Sequence, residues 1–179
     1  SIGDKEYRSY GIEDARIRVI PHPFNVTEYA PLPPAGSFRA RHQLGNRPLV
    51  LTMCRIHRIK GLDFLTDAFA ALKAEFRDAV LVIAGPDEGH RAALERQAAA
   101  LGVSESLIFT GFLAGEDKLA ALADADIFVQ PSRYEHSAWS VFEAVLCGTP
   151  VIATQGSGSG EDVAQLAAGA LADYGDPAA

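Results

Sequence analysis

Two glutamates and one basic loop carry the chemistry that this sequence offers. Glu135 and Glu143 are separated by seven residues within the stretch 130–150, QPSRYEHSAWSVFEAVLCGTP. Glu143 falls among Ala138, Trp139, Val141, Phe142, Ala144, Val145, Leu146 and Cys147, a pattern that predicts a helix apolar almost all round. A carboxylate in such a helix costs several kcal/mol unless something pairs with it. Either Glu143 bridges an internal group and Glu135 is a solvated loop charge, or both face a polar ligand. Far upstream, Arg55, His57, Arg58 and Lys60 put three formal positive charges and a histidine within six residues, with no acid among them, in a chain of net charge −7. In a cleft that excludes water, such a group suits an anion. On an open surface it is merely solvated.

The elements around these residues say where they sit. Leu49–Met53, Val80–Ala84, Leu107–Thr110, Ile127–Gln130, Val151–Thr154 and Ala170–Ala172 are short apolar runs that read as buried strands. Helical spacing is predicted over Phe38–Leu44, Leu62–Phe76, Arg91–Leu101, Asp117–Ala123, Ala138–Cys147 and Asp162–Leu166. Six strands alternating with helices imply a doubly wound, Rossmann-like α/β layer with a parallel sheet and helices on both faces. Ligands of such sheets bind beyond the carboxyl ends of the strands. The basic loop follows the first strand, Gly85-Pro86 the second, and the apolar loop Gly111-Phe112-Leu113-Ala114-Gly115 the third. The Glu135 loop follows the fourth strand, with Ser137 as the expected N-cap leaving the N–H groups of Ala138, Trp139 and Ser140 outward. Gly156, Gly158 and Gly160 with Glu161 follow the fifth as a flexible border. Cations, free amides and paired carboxylates on one sheet edge fit a nucleotide diphosphate carrying hydroxyl-rich sugars.

Residues 1–16 read as a helix end and turn, and Ile17–Ile20 as a short strand stopped by Pro21 and Pro23. Five prolines between positions 21 and 37 suggest a linker. With 179 residues, 48% hydrophobic and 22% charged, the chain fits one globular domain. Its acidic balance argues against nucleic acid as a partner. Cys54 and Cys147 lack metal-ligand spacing, so a reducing, cytoplasmic compartment is expected. No apolar run is long enough to span a bilayer and no signal peptide is recognised. The sequon Asn25-Val26-Thr27 is a short pattern that this compartment leaves unused.

Taken in order, Ile20-Pro21 with the proline linker, Arg55-x4-Lys60-Gly61, Leu81–Gly85, Phe109-x-Gly111-Phe112, and Pro131-Ser132 through Glu135, Glu143 and Gly148-Thr149-Pro150-Val151-Ile152-Ala153-Thr154 resemble the C-terminal, donor-binding half of a retaining glycosyltransferase of the GT-B fold, family 4. The resemblance covers nearly everything from residue 17 onward. It implies that Arg55 and Lys60 hold the donor diphosphate, that Glu135 meets the transferred sugar, and that Glu143 accepts from the ribose hydroxyls. Phe112 and Leu113 would lie beside the base, and the amides near Trp139 and Ser140 would meet a phosphate; independently of the resemblance, the tight turn at Gly85-Pro86 can let a ligand approach the backbone. No metal or other cofactor is implied. The chain departs from the family at His136-Ser137-Ala138-Trp139, where small or apolar residues are usual, and at Cys54, where glycine is usual. His136 and Trp139 would then reshape the sugar pocket or simply pack.

The chain begins at Ser1 and ends in GDPAA, so it is expected to be a piece: 1–37 the edge of an N-terminal domain plus linker, 38–179 a nucleotide-sugar-binding domain. Such a piece would bind donor weakly and transfer nothing without its N-terminal partner domain, with a membrane or lipid acceptor open. A nucleotide-sugar epimerase and a non-catalytic nucleotide-binding domain are the other readings. A dinucleotide oxidoreductase is disfavoured, because the first strand ends in a basic loop rather than G-x-G-x-x-G. Asp124-Ala125-Asp126 matches the D-x-D metal pattern but ends a helix and opens a strand.

Overall fold

A computed structural model describes residues 1–20 and 23–175; Pro21, His22 and the last four residues lie outside the described residues. The elements run α1 (Ile2–Ser9), α2 (Ser37–Arg41), β1 (Leu49–Met53), α3 (Leu62–Leu72), β2 (Val80–Ala84), α4 (Arg91–Ala100), β3 (Leu107–Gly111), α5 (Gly115–Asp124), β4 (Ile127–Gln130), α6 (Trp139–Leu146), β5 (Val151–Thr154), α7 (Gly158–Leu166) and β6 (Gly169–Ala172). The six strands form one parallel sheet in the order β3-β2-β1-β4-β5-β6. At its centre Val50 of β1 lies opposite Leu81 of β2 and Ile127 of β4. The order reverses between β1 and β4, so the loops after these two strands flank the crevice that a reversal opens.

Alternate strand residues feed two cores, as a pleat with period two requires. Leu49, Leu51, Val82, Phe128 and Val151 pack on one face with Phe38 of α2, Leu122 of α5, Val141 and Ala144 of α6, and Val163 of α7. Val50, Leu81 and Ile83 pack on the other with Leu62, Leu65 and Phe69 of α3 and Leu94 and Ala98 of α4. The doubly wound layer expected from the apolar runs is therefore the fold.

Four local expectations are corrected. Residues 17–20 form no strand; Val19 and Ile20 are exposed, because apolar alternation makes a strand only where a sheet edge accepts it. The third helix stops at Leu72 rather than Phe76, with Lys73 Nζ donating to the carbonyls of Arg77 and Ala79 across the turn. α6 is one-sided rather than buried all round: Val141 and Ala144 are buried, while Trp139 is 48% exposed and tilts against Phe24 of the proline-rich segment. The flexible border after β5 is mostly helix, since α7 already begins at Gly158. Gly158 and Gly160 are buried there because α7 starts almost in contact with neighbouring backbone.

The D-x-D carboxylates are bound to protein donors. Asp124 accepts the backbone N–H groups of Gly36, Phe38 and Arg39 at 2.6, 2.8 and 3.1 Å. Asp126 accepts the N–H of Leu49 at 2.7 Å and pairs with Arg39 at 2.8 Å. The motif thus anchors α2 to the sheet. Asp124→Ala leaves three donors without their acceptor and is expected to cost about 2–3 kcal/mol. Urea denaturation of the variant checks this.

Candidate functional site

The β1 loop is built to hold Lys60 inward. A short turn, Arg58–Lys60, is capped by His57, whose Nδ1 accepts the N–H of Ile59 at 3.2 Å. It ends at Gly61, φ +66°, where an added Cβ would stand 2.0 Å from the Pro131 carbonyl oxygen. Only glycine allows the β1 loop to press so closely on the start of the β4 loop. Arg133 stitches the two together: its N–H donates to the Ile59 carbonyl at 2.9 Å, its Nε to the Arg58 carbonyl, and its guanidinium pairs with Asp63.

The β4 loop is held from its other side by α7 and α1. Gly158 N–H donates to the Glu135 carbonyl at 2.8 Å, and Ser159 Oγ accepts the N–H of Ala138 at 3.0 Å. Ser137 Oγ donates to Asp162, so Ser137 is not the expected N-cap; Ala138 occupies that position, with no side-chain cap. The Ala138 amide, expected to point outward, is spent on Ser159. His136 leaves the site altogether: its Nε2 lies 3.0 Å from Glu6 of α1, which also accepts from Tyr134 Oη at 2.9 Å. Those two contacts, His136 first, draw the Glu6 carboxyl below its ordinary value. Glu161 likewise turns to Lys5, at 2.9 Å, rather than to the site. Adjacent residues of an extended loop point to opposite sides, so outward His136 goes with inward Glu135.

Between the two loops lies a cavity of about 420 Å³ at the carboxyl ends of the strands. Its lining includes Arg55, Lys60, Gly85, Phe112, Leu113, Glu135, Ser137, Ala138, Trp139, Ser140 and Glu143, while His57, Arg58, His136 and the Gly156–Glu161 border do not line it. Lys60 Nζ pairs with Glu135 Oε2 at 2.5 Å, both side chains largely buried. One ammonium has three donors, so this pairing leaves Lys60 hydrogen-bonding capacity for an anion. Glu143 Oε1 receives Lys118 Nζ at 2.5 Å and Tyr29 Oη at 3.0 Å. Both earlier readings of Glu143 therefore hold at once: it is internally bridged and it lines the cavity. Beside the carboxylate, burial first and then the charge of Glu143 push the Tyr29 phenol well above its usual range. At the cavity wall, burial pushes the Cys54 thiol up to about 11, opposed by Lys60. Phe112 stands 77% exposed at the mouth. Gly85 lines the cavity, yet its conformation serves the backbone: at φ +147° an added Cβ would lie 1.8 Å from the Cys54 carbonyl oxygen.

Arg55 is turned partly away, its guanidinium 2.6 Å from Glu88 at an exposed position. An exposed pair of this kind is worth about 0–1 kcal/mol. An anion in the cavity has to compete with Glu88 for Arg55, so Glu88→Gln should tighten pyrophosphate binding about 2- to 5-fold, an advantage that fades at high salt. Calorimetry at two ionic strengths measures it.

Lys118, Tyr29, Glu88 and Arg133 were not identified from the sequence. Each is an unremarkable polar residue on a helix or turn, and tertiary packing alone brings it to the site. Arg133 sits two residues from Glu135, yet nothing local shows that it reaches back to the β1 loop.

Among the described residues no helix is long and apolar enough to cross a membrane, and no cluster of three metal-binding side chains is found. Comparison with known proteins gives a consistent family. The sequence model described as "Glycosyl transferases group 1" matches residues 36–179. A GDP-mannose-dependent alpha-(1-6)-phosphatidylinositol monomannoside mannosyltransferase of Mycolicibacterium smegmatis is 32% identical over 170 residues, 90% of this chain and 44% of the relative. A crystal structure of Anabaena HepE in complex with UDP superposes with TM-score 0.88 at 24% identity, covering 97% of this chain and 48% of that one. Sucrose-phosphate synthase of Thermosynechococcus elongatus gives TM-score 0.80 at 27% identity, covering 99% and 45%. The chain thus spans less than half the length of each of these proteins. It belongs to the glycosyl transferases group 1 family, and its sheet is the Rossmann-like layer of a GT-B glycosyltransferase.

Proposed function

We propose that the cavity binds a nucleoside-diphosphate sugar, as the donor half of a retaining glycosyltransferase of family 4 whose acceptor site lies on a separate N-terminal domain. In this reading residues 1–37 are the edge of that domain and the linker from it, and 38–179 the donor domain. The observation that carries the reading is the shared cavity: cations of the β1 loop and carboxylates of the β4 loop and α6 meet at the point where the strand order reverses. The relatives support it, one being named for its dependence on GDP-mannose and one neighbouring structure holding UDP.

The chemistry follows from where charge develops. As the bond from the anomeric carbon to the diphosphate oxygen breaks, negative charge grows on the phosphate oxygens. Lys60, fixed by Glu135, and Arg55, released from Glu88, face that charge and stabilise it more than the ground state. Glu135 accepts from hydroxyls of the transferred sugar while steering the Lys60 ammonium. Glu143 accepts from the ribose, the first turn of α6 meets a phosphate, and Phe112 with Leu113 borders the base.

Calorimetric titration with UDP, GDP and ADP, and with their sugars, tests the assignment. One nucleoside diphosphate should bind, with affinity reduced at least about 10-fold by Arg55→Ala or Glu143→Ala. Equal affinity in wild type and both variants would exclude the cavity as its site. Glycosyl transfer is expected only when the acceptor-binding domain is present, and turnover by the 179-residue chain alone would contradict that division of labour.

A further inference from the structure

We propose that Lys118 and Tyr29 are positioning residues that hold Glu143 so that its second oxygen faces the ribose. This rests on the donor-site reading given above. Both groups bind the same carboxylate atom: Lys118 Nζ and Tyr29 Oη donate to Glu143 Oε1, at 2.5 and 3.0 Å. No protein donor among the described residues meets Oε2, and the Glu143 side chain lines the cavity. The three residues come from separate parts of the chain. Tyr29 stands on a turn before the family match begins, Lys118 on α5 and Glu143 on α6. Tyr29 is buried, with Lys118 Nζ 5.7 Å from its ring centre, so the phenol both donates and walls the ammonium in.

A carboxylate on a two-carbon stem can rotate, and a hydrogen bond to a sugar hydroxyl is useful only if the acceptor waits in the right place. Two donors on one oxygen remove that freedom at no cost to the other oxygen. The ammonium also offsets the penalty of keeping the carboxylate in a largely buried position. The proline-rich segment therefore completes the site through Tyr29.

The test compares UDP and GDP with their 2′,3′-dideoxy analogues on the 179-residue chain, by calorimetry. Wild type should prefer the ribonucleotide it binds by about 10-fold or more, and Glu143→Gln should abolish the preference. Lys118→Met and Tyr29→Phe should shrink it to about 3-fold or less while leaving the dideoxy affinity near that of wild type; Lys118→Arg should restore it. If Lys118→Met does not fold, Tyr29→Phe, which deletes one hydroxyl, decides. A full preference retained in Tyr29→Phe and Lys118→Met would overturn the proposal, as would an equal loss for both nucleotide forms. A wild-type chain that binds neither nucleotide, or does not discriminate, would instead overturn the donor-site reading.

Discussion

Replacing Lys60 with alanine should cost about 2–4 kcal/mol of stability and weaken diphosphate binding about 10- to 100-fold. The two losses have different origins. The first comes from Glu135, whose side chain is 13% exposed and would be left charged without its partner. Breaking one side of a buried pair typically costs about 3–5 kcal/mol, reduced here by the residual exposure. The second comes from the missing cation opposite the anion; where transfer can be assayed, removal of one such donor is expected to lower the rate about 10²–10³-fold. A paired variant separates them. Lys60→Met combined with Glu135→Gln neutralises both partners, so most of the stability should return while binding stays weak. Urea denaturation and calorimetry on the three proteins read the two effects. Recovery of binding in the paired variant would show that Lys60 acts only through folding.

Gly158→Ala should be the most damaging single-methyl change near the site. A Cβ there would lie 1.4 Å from the His136 carbonyl oxygen and 2.3 Å from its carbon, both backbone atoms that no rotamer change can clear. The first turn of α7 or the Glu135 loop has to move, at about 3 kcal/mol or more. Gly158 N–H also donates to the Glu135 carbonyl, so the displacement acts on the residue paired with Lys60. The variant should melt lower and, where folded, bind pyrophosphate more weakly than wild type. An unchanged melting temperature would mean that the loop is far more compliant than its close packing implies.

What the sequence reveals and what it hides divide along physical lines. The buried strands were legible because a parallel sheet covered on both faces needs continuous apolar runs, and Val80–Ala84 is entirely apolar. The order of alternation then placed Arg55, Lys60, Glu135 and Glu143 after β1, after β4 and on α6. Their partners were not legible. Lys118 lies 25 positions before Glu143, Tyr29 lies 114 before it, and no spacing rule links them. The direction of a loop side chain is equally hidden: His136 and Glu135 are neighbours, and their opposite directions are seen only in tertiary contacts, to Glu6 of α1 for one and to Lys60 for the other. Glycines misled in the opposite sense. Gly158 and Gly160 suggest a flexible edge when only composition is known, but in the fold they are buried where backbone meets backbone.

Trp139 illustrates a departure whose effect is now partly visible. It lines the cavity while its ring lies 4.7 Å from that of Phe24, so the first turn of α6 is held against the proline-rich segment at the same point where it opens on the site. The Phe24 ring also lies 5.2 Å from that of Phe142 and Tyr29 donates to Glu143, so residues 23–35 meet α6 at Trp139, Phe142 and Glu143.

The most direct measurement is a crystal structure of this chain with a nucleoside diphosphate bound. The β-phosphate should lie within ion-pair distance of Lys60 Nζ, with a ribose hydroxyl donating to Glu143 Oε2 and the base at Phe112. A nucleotide bound elsewhere, for instance in the apolar groove lined by Phe64, Phe69, Ile127 and Ile152, with Lys60 still paired only to Glu135, would contradict the account.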